Sequence, residues 1–116
     1  MVTAATLDRT AAAQYASWFR ALSDPTRVQM IHLLARSGAP MTIGEVTEAL
    51  GIGQSTASHH VKALARVGFV TVHKDGTTSR VAVNEACVEC FPSAADLVMG
   101  IAAPRLQPAS LPGRGR

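Results

Sequence analysis

A tight tripeptide between two short helical segments, followed by a change of hydrophobic period, constrains this chain more than any other feature. The tripeptide is Gly51-Ile52-Gly53. Thr42 precedes the first segment, Ile43–Leu50, and Glu45 stands three residues after it, which is the sequence pattern of a capping box. The second segment, residues 54–67, carries apolar side chains at helical spacing. The pattern therefore predicts two helices joined by a sharp turn.

The hydrophobic period changes from helical to two directly after this second helix. Residues 69–74 and 77–83 alternate, and Asp75-Gly76 between them favours a tight two-residue turn. The order helix, turn, helix and hairpin predicts a helix-turn-helix followed by a wing.

Two more helices are predicted ahead of this unit, so the fold class is mainly α with a small β-hairpin. Residues 10–22 show helical periodicity, and a second helix follows Asp24, a suitable cap, with Pro25 in its first turn. The second helix is expected to bury Val28, Ile31, Leu34 and Ala35, with His32 half-buried. The predicted organisation is a flexible N-terminus (1–9), one domain (10–103) and a disordered tail (104–116).

The first helix carries an apolar stripe with two readings. Tyr15, Trp18, Phe19 and Leu22 recur at i, i+3, i+4 and i+7. The stripe is either ordinary core or a face that pairs with a second copy of the chain. Aromatic residues make up only 4% of the sequence, and a domain with such a thin core often gains stability by pairing.

The positive charge of the chain is confined to one segment. The net charge is +3, and residues 1–53 and 81–116 each balance to zero. An excess of this kind is typical of a surface that faces phosphate. Residues 54–80 hold the whole excess, as Lys62, Arg66, Lys74 and Arg80 against Asp75.

The second helix of the helix-turn-helix has an outward face of hydrogen-bonding side chains and no carboxylate. Residues near its N-terminus are expected to reach base edges, and basic residues on the helix and wing to contact phosphate or the minor groove. The alternative is a polar, solvated helix. The predicted contacts to double-stranded operator DNA are Gln54, Ser55, Thr56, Ser58, His59, Lys62, Arg66, Lys74, Thr77 and Arg80.

A family resemblance is carried by two runs, ALSDPTRVQMIHLLA (21–35) and TIGEVTEALGIGQSTASHHVKALARVGFVTVHKDGTTSRVAV (42–83). They resemble the ArsR/SmtB family of metal-responsive repressors. The resemblance implies a winged-helix homodimer, joined by its first and last helices, that releases DNA when metal binds. Gly53 departs from the family pattern, because many members have a Ser at this position that caps the second helix of the helix-turn-helix. The implied interface combines Tyr15, Trp18, Phe19 and Leu22 with Ala95, Val98 and Met99.

Cys87 and Cys90 form a CxxC pair in the predicted last helical region. Side chains three apart on a helix share one face, with Cβ atoms about 5–6 Å apart. Two sulfurs on one metal ion are at most about 4.6 Å apart, since each metal–sulfur bond is about 2.3 Å. The pair therefore suits a soft metal ion. Mercury(II) is favoured because two thiolates complete a linear site, and arsenic(III), cadmium and zinc are the alternatives.

Other interpretations of the Cys pair stay open. A reversible Cys87–Cys90 disulfide would make a redox switch, and two inert core thiols are the remaining alternative. His60 is the candidate extra ligand, although DNA contact or packing is favoured for both His59 and His60. The pair lacks the βαβ context of a thiol-redox enzyme, and no catalytic signature is found, so the chain is predicted not to be an enzyme.

The predicted location is the cytoplasm, with no membrane partner. The sequence has no apolar run of membrane-spanning length and no secretory signal pattern.

Overall fold

The computed structural model describes residues 7–86, 94–96 and 98–100. In chain order the elements are α1 (Arg9–Ala21), α2 (Pro25–Ser37), β1 (Met41–Thr42), α3 (Ile43–Leu50), α4 (Gln54–Arg66), β2 (Val70–Asp75) and β3 (Thr78–Val83). The predicted fold class, a mainly helical winged helix-turn-helix, is confirmed. None of the helices described is long and apolar enough to cross a membrane. The predictions for the tail and for Cys87 and Cys90 lie outside the described residues.

Short polar side chains cap the first three helices. Asp8 accepts hydrogen bonds from two amides of the first turn of α1, so α1 begins inside the segment that the sequence predicted to be flexible. Asp24 accepts from the amide of Thr26 at 2.7 Å, as predicted for the start of α2. Thr42 and Glu45 form the predicted capping box of α3, with reciprocal hydrogen bonds of 3.1 and 2.9 Å.

The Asp24 cap makes stability depend on pH. The hydrogen bond from the Thr26 amide lowers the pKa of Asp24 below its ordinary value of 3.8; partial desolvation opposes this, and the backbone amide and the positive charge of Arg27 lower it further. A carboxyl group with a lowered folded-state pKa stabilises the fold above its unfolded pKa, and that contribution is lost as the pH falls through the folded value. We expect the wild type to exceed D24N in unfolding free energy at neutral pH, and the difference to close as the pH falls below 3.8 and through the folded-state pKa of Asp24. Urea denaturation across the pH range measures it, and parallel stability curves would contradict it.

The three strands form an antiparallel sheet in the order β1-β3-β2. The sequence missed β1, because two residues are too few to show alternation. The predicted turn was also displaced by one position. Asp75 pairs with Thr78, so Gly76 and Thr77 are the central turn residues. Gly76 has φ +69° and Thr77 has a negative φ, which is the pattern of a type II′ turn.

The core draws one or two side chains from each helix and from the sheet. The largest fully buried side chains are Met30, Leu34, Val46, Leu64 and Val81. The Trp18 ring of α1 reaches this cluster and lies 6.5 Å from the Phe69 ring, centroid to centroid.

The buried face of α2 matches the predicted one at Leu34 and, half-buried against the core, at Ile31, but differs at the other positions. Met30 and Leu34 face the core, whereas Val28 is 49% exposed and Ala35 and His32 are exposed. Positions 30, 31, 33 and 34 are all apolar, so more than one helical phase fits the sequence. Packing against α3 and the sheet selects the phase that buries Met30.

Asn84 closes the base of the wing. Its backbone amide donates to the Phe69 carbonyl oxygen at 2.8 Å, and its side-chain Nδ2 donates to the Gly68 carbonyl oxygen at 2.8 Å. Its Oδ1 accepts from the Ala86 amide at 3.1 Å. The residue after β3 is thus tied to the residues that join α4 to β2.

Candidate nucleic-acid interface

The turn between α3 and α4 leaves the N-terminus of α4 open. Gly51 ends α3 with φ +68°, in the left-handed region that glycine adopts without strain. Gly53 is the N-cap of α4 and provides no side-chain hydrogen bond. The first amides of α4 therefore have no side-chain acceptor from their cap, and such amides favour a phosphate oxygen.

Helix α4 has a buried and an exposed face. The buried residues Ala57, His60, Val61 and Leu64 follow i, i+3, i+4 and i+7. The predicted DNA-contacting residues lie on the other side of the helix. Gln54, Ser55, Thr56, His59, Lys62 and Arg66 are exposed, and Ser58 is half-buried.

The wing, formed by β2 and β3, adds three exposed basic or hydroxyl side chains. Lys74, Thr77 and Arg80 all face solvent. Arg80 Nε lies 3.8 Å from Asp75 Oδ2, and the two side chains are 44% and 74% exposed. A long, exposed ion pair of this kind is worth little, so Arg80 can exchange Asp75 for a phosphate.

The residues assigned to the dimer face differ in how far they are exposed. Trp18 is buried within the protomer, and the Tyr15 ring lies 5.4 Å from it, so both stabilise the chain's own core. Phe19, Val98 and Met99 are exposed, with Met99 at 75%. Leu22 and Ala95 are half-buried. The core reading of the α1 stripe thus holds for Tyr15 and Trp18, and the exposed side chain of Phe19 leaves the pairing reading open.

His60 is engaged in packing and hydrogen bonding. It is 8% exposed, and its Nδ1 accepts a hydrogen bond from Arg27 Nε at 3.0 Å. This Nδ1 lone pair is occupied, and in the neutral ring the other nitrogen then carries the proton. His60 could bind a metal ion only by giving up the hydrogen bond from Arg27.

The described residues hold no ready-made metal site. In the ranges 7–86, 94–96 and 98–100, no group of three or more His, Cys, Asp or Glu side chains could hold a metal ion. The predicted ligands Cys87 and Cys90 lie outside those ranges.

Comparison with known proteins agrees with this geometry. A family model described as a helix-turn-helix domain matches residues 22–73. An uncharacterized HTH-type transcriptional regulator of Bacillus subtilis, YceK, is 40% identical over 73 residues, which span 63% of this chain and 73% of that protein. A probable mercury resistance operon repressor of Streptomyces lividans is 37% identical over 84 residues, spanning 72% of this chain and 61% of the repressor.

A solved structure extends the likeness to the whole domain. It is the homodimeric winged helix-turn-helix DNA-binding domain of a possible ArsR-family transcriptional regulator from Mycobacterium bovis. The TM-score is 0.64 and the identity 27%, with 83% of this chain and 90% of that chain covered. Fold and relatives together define a winged helix-turn-helix transcriptional regulator. The chain belongs to the ArsR family.

Proposed function

We propose that this chain is a repressor that binds operator DNA as a homodimer and leaves it when a thiophilic metal ion, mercury(II) above all, binds Cys87 and Cys90. The observation that carries the DNA-binding half is the exposed face of α4. That face holds hydrogen-bonding and basic side chains, and the helix has no carboxylate. The exposed basic side chains of the wing extend the same chemistry.

Each part of this surface has its own role in the proposal. Gln54, Ser55 and His59, in the first half of α4, would form hydrogen bonds with base edges in the major groove. Lys62 and Arg66 would bind phosphate, and the wing would bind phosphate or enter the minor groove. In a homodimer the two copies of α4 would enter successive major grooves, about 34 Å apart.

The proposed dimer face combines apolar side chains from the two ends of the described domain. Phe19, Val98 and Met99 are large apolar side chains exposed on the protomer, and covering them would remove apolar surface from water. The homodimeric state of the Mycobacterium bovis domain supports this assignment.

The metal-sensing half rests on the chemistry of the Cys pair and on two groups of relatives. One is the mercury resistance repressor of Streptomyces lividans. Another is the cadmium resistance regulatory protein CadC of Listeria innocua, 30% identical over 59 residues. Mercury(II) is favoured because two thiolates complete its coordination, whereas arsenic(III), cadmium and zinc require further donors.

Release of DNA requires a difference in affinity between two states. Metal dissociates the complex only if it binds the free dimer more tightly than the DNA-bound dimer. By the same linkage, operator DNA must weaken metal binding by an equal factor. The metal site therefore has to be sensitive to the relative position of the two copies of α4.

A release assay tests the proposal. The chain is first used to select a duplex from a randomised pool. The reduced protein on that duplex is then titrated separately with mercury(II), arsenic(III), cadmium, zinc and peroxide. Release by mercury(II) at one ion per Cys pair supports the proposal, and release by another ion reassigns the inducer. Release by peroxide alone supports the disulfide alternative, and no selected duplex at all contradicts the DNA-binding half.

A further inference from the structure

We infer that Arg27 and His60 are positioning residues for operator binding, because their hydrogen bond sets the direction in which the exposed face of α4 points. The inference rests on the DNA-binding half of the proposed function. It assigns a role to a half-buried arginine and a buried histidine that would not themselves touch DNA.

The Arg27 guanidinium joins three helices at one point. Arg27 lies in the first turn of α2, and its Nε donates to His60 Nδ1 of α4 at 3.0 Å. Its Nη1 donates to the carbonyl oxygen of Ala21, the last residue of α1, at 3.4 Å. The last carbonyl oxygens of a helix have no N–H donor within that helix, so the Arg27 Nη1 donor satisfies one of them.

A cation in the first turn of a helix is electrostatically unfavourable unless a negative charge is near it. Asp24, the cap of α2, supplies that charge: the positive charge of Arg27 contributes to lowering the Asp24 pKa. The Arg27 guanidinium is thus hydrogen-bonded to α1 and α4, and Asp24 at the start of α2 offsets part of its charge.

His60 occupies a position at which an apolar side chain would be sufficient for packing. His60 shares the buried stripe of α4 with Ala57, Val61 and Leu64, each at most 4% exposed. A leucine would fill such a position without requiring a hydrogen-bonding partner. A directional hydrogen bond, unlike apolar contact, specifies one rotational setting of the helix.

The rotational setting of α4 matters because the neighbouring residue, His59, lies on the exposed face. His59 directly precedes His60, and their rings are 5.5 Å apart, centroid to centroid. A rotation of α4 by about 20°, at a side-chain radius of about 5 Å, moves the tip of a base-contacting side chain by about 2 Å. That displacement exceeds the range over which a hydrogen bond to a base edge survives.

A variant set separates positioning from stability. The set comprises H60L, R27M, the double variant R27M/H60L, and H60N, whose amide oxygen can take the place of Nδ1 as acceptor. R36M is the matched control, since Arg36 is an exposed arginine on the same helix. Affinity is measured for a duplex that the wild type has selected from a randomised pool and for a scrambled duplex, together with each thermal midpoint.

We expect H60L and R27M/H60L to lose about tenfold in affinity for the selected duplex, the worth of one hydrogen bond from a charged donor. Affinity for the scrambled duplex should stay unchanged in H60L, because no phosphate contact is removed. The double variant should keep a near-wild-type midpoint, since apolar replacement of a buried polar pair is often neutral. H60N and R36M should bind the selected duplex within about twofold of wild type.

Two results would overturn the inference: wild-type affinity in a folded H60L or double variant, or an equal loss on both duplexes. If the leucine variants do not fold, H60Q replaces them, because it keeps a polar side chain but places the acceptor elsewhere. Wild-type affinity in H60Q would then overturn the inference in the same way. A wild-type chain that selects no duplex contradicts the proposed function itself, a failure that the variants cannot produce.

Discussion

The double variant C87S/C90S is expected to keep its operator affinity and to lose its response to mercury(II). Serine hydroxyls are poor ligands for soft ions, so the variant retains no chelate at these positions. The proposed DNA-contacting residues lie in a separate segment, residues 54–80, and should be unaffected. Allosteric coupling typically changes affinity by about 5- to 150-fold, and we expect a decrease in that range for the wild type on adding mercury(II). Fluorescence anisotropy of a labelled selected duplex measures both quantities.

The single variants C87S and C90S provide the control. A linear site needs both sulfurs, so either replacement alone should remove the response. A double variant that still releases DNA with mercury(II) would refute the assignment of the site. A metal-free double variant that has lost affinity and stability would instead support the alternative in which both thiols are structural.

Reversing one charge on the exposed face of α4 should weaken DNA binding strongly. In R66E each subunit loses a proposed phosphate contact and gains a repulsive carboxylate. For a dimer, the slope of log affinity against log salt should become shallower by about 2, one contact per subunit. The affinity itself should fall by more than tenfold at low salt, since each lost contact is compounded by repulsion.

R36E is the matched control for R66E. Arg36 and Arg66 are both exposed and both lie in the last turn of a helix, α2 and α4 respectively. The two variants therefore share the change in net charge and the unfavourable interaction of a carboxylate with a helix C-terminus. Equal losses of DNA affinity would show that total charge, and not the α4 face, determines binding.

The sequence was sufficient where the physical cause is local. The caps at Asp24 and Thr42 and the turn at Gly51 involve residues within a few positions of each other, and the structure has them as predicted. The exposed face of α4 was likewise predictable from its helical period.

The parts that the sequence did not predict depend on contacts between distant residues. The inner face of α2 is selected by packing against other elements, and β1 exists only because Met41 pairs with Val81. The hydrogen bond from Arg27 to His60 spans 33 positions, and nothing in either local segment indicates it. The family resemblance favoured packing or DNA contact for His60, and the position of this polar residue within the apolar stripe of α4 was the one local signal of a buried partner.

The hydrogen bonds of Asn84 have a consequence for how this domain unfolds locally. They bring the end of β3 back to Gly68 and Phe69, where the chain leaves α4. Opening the base of the hairpin therefore releases Gly68 and Phe69 from Asn84, and the amides of these two residues donate to the carbonyl oxygens of Ala65 and Leu64 in α4. Segments linked in this way exchange their amide hydrogens as one cooperative unit. We therefore expect the amides of the wing and of the last turn of α4 to exchange together.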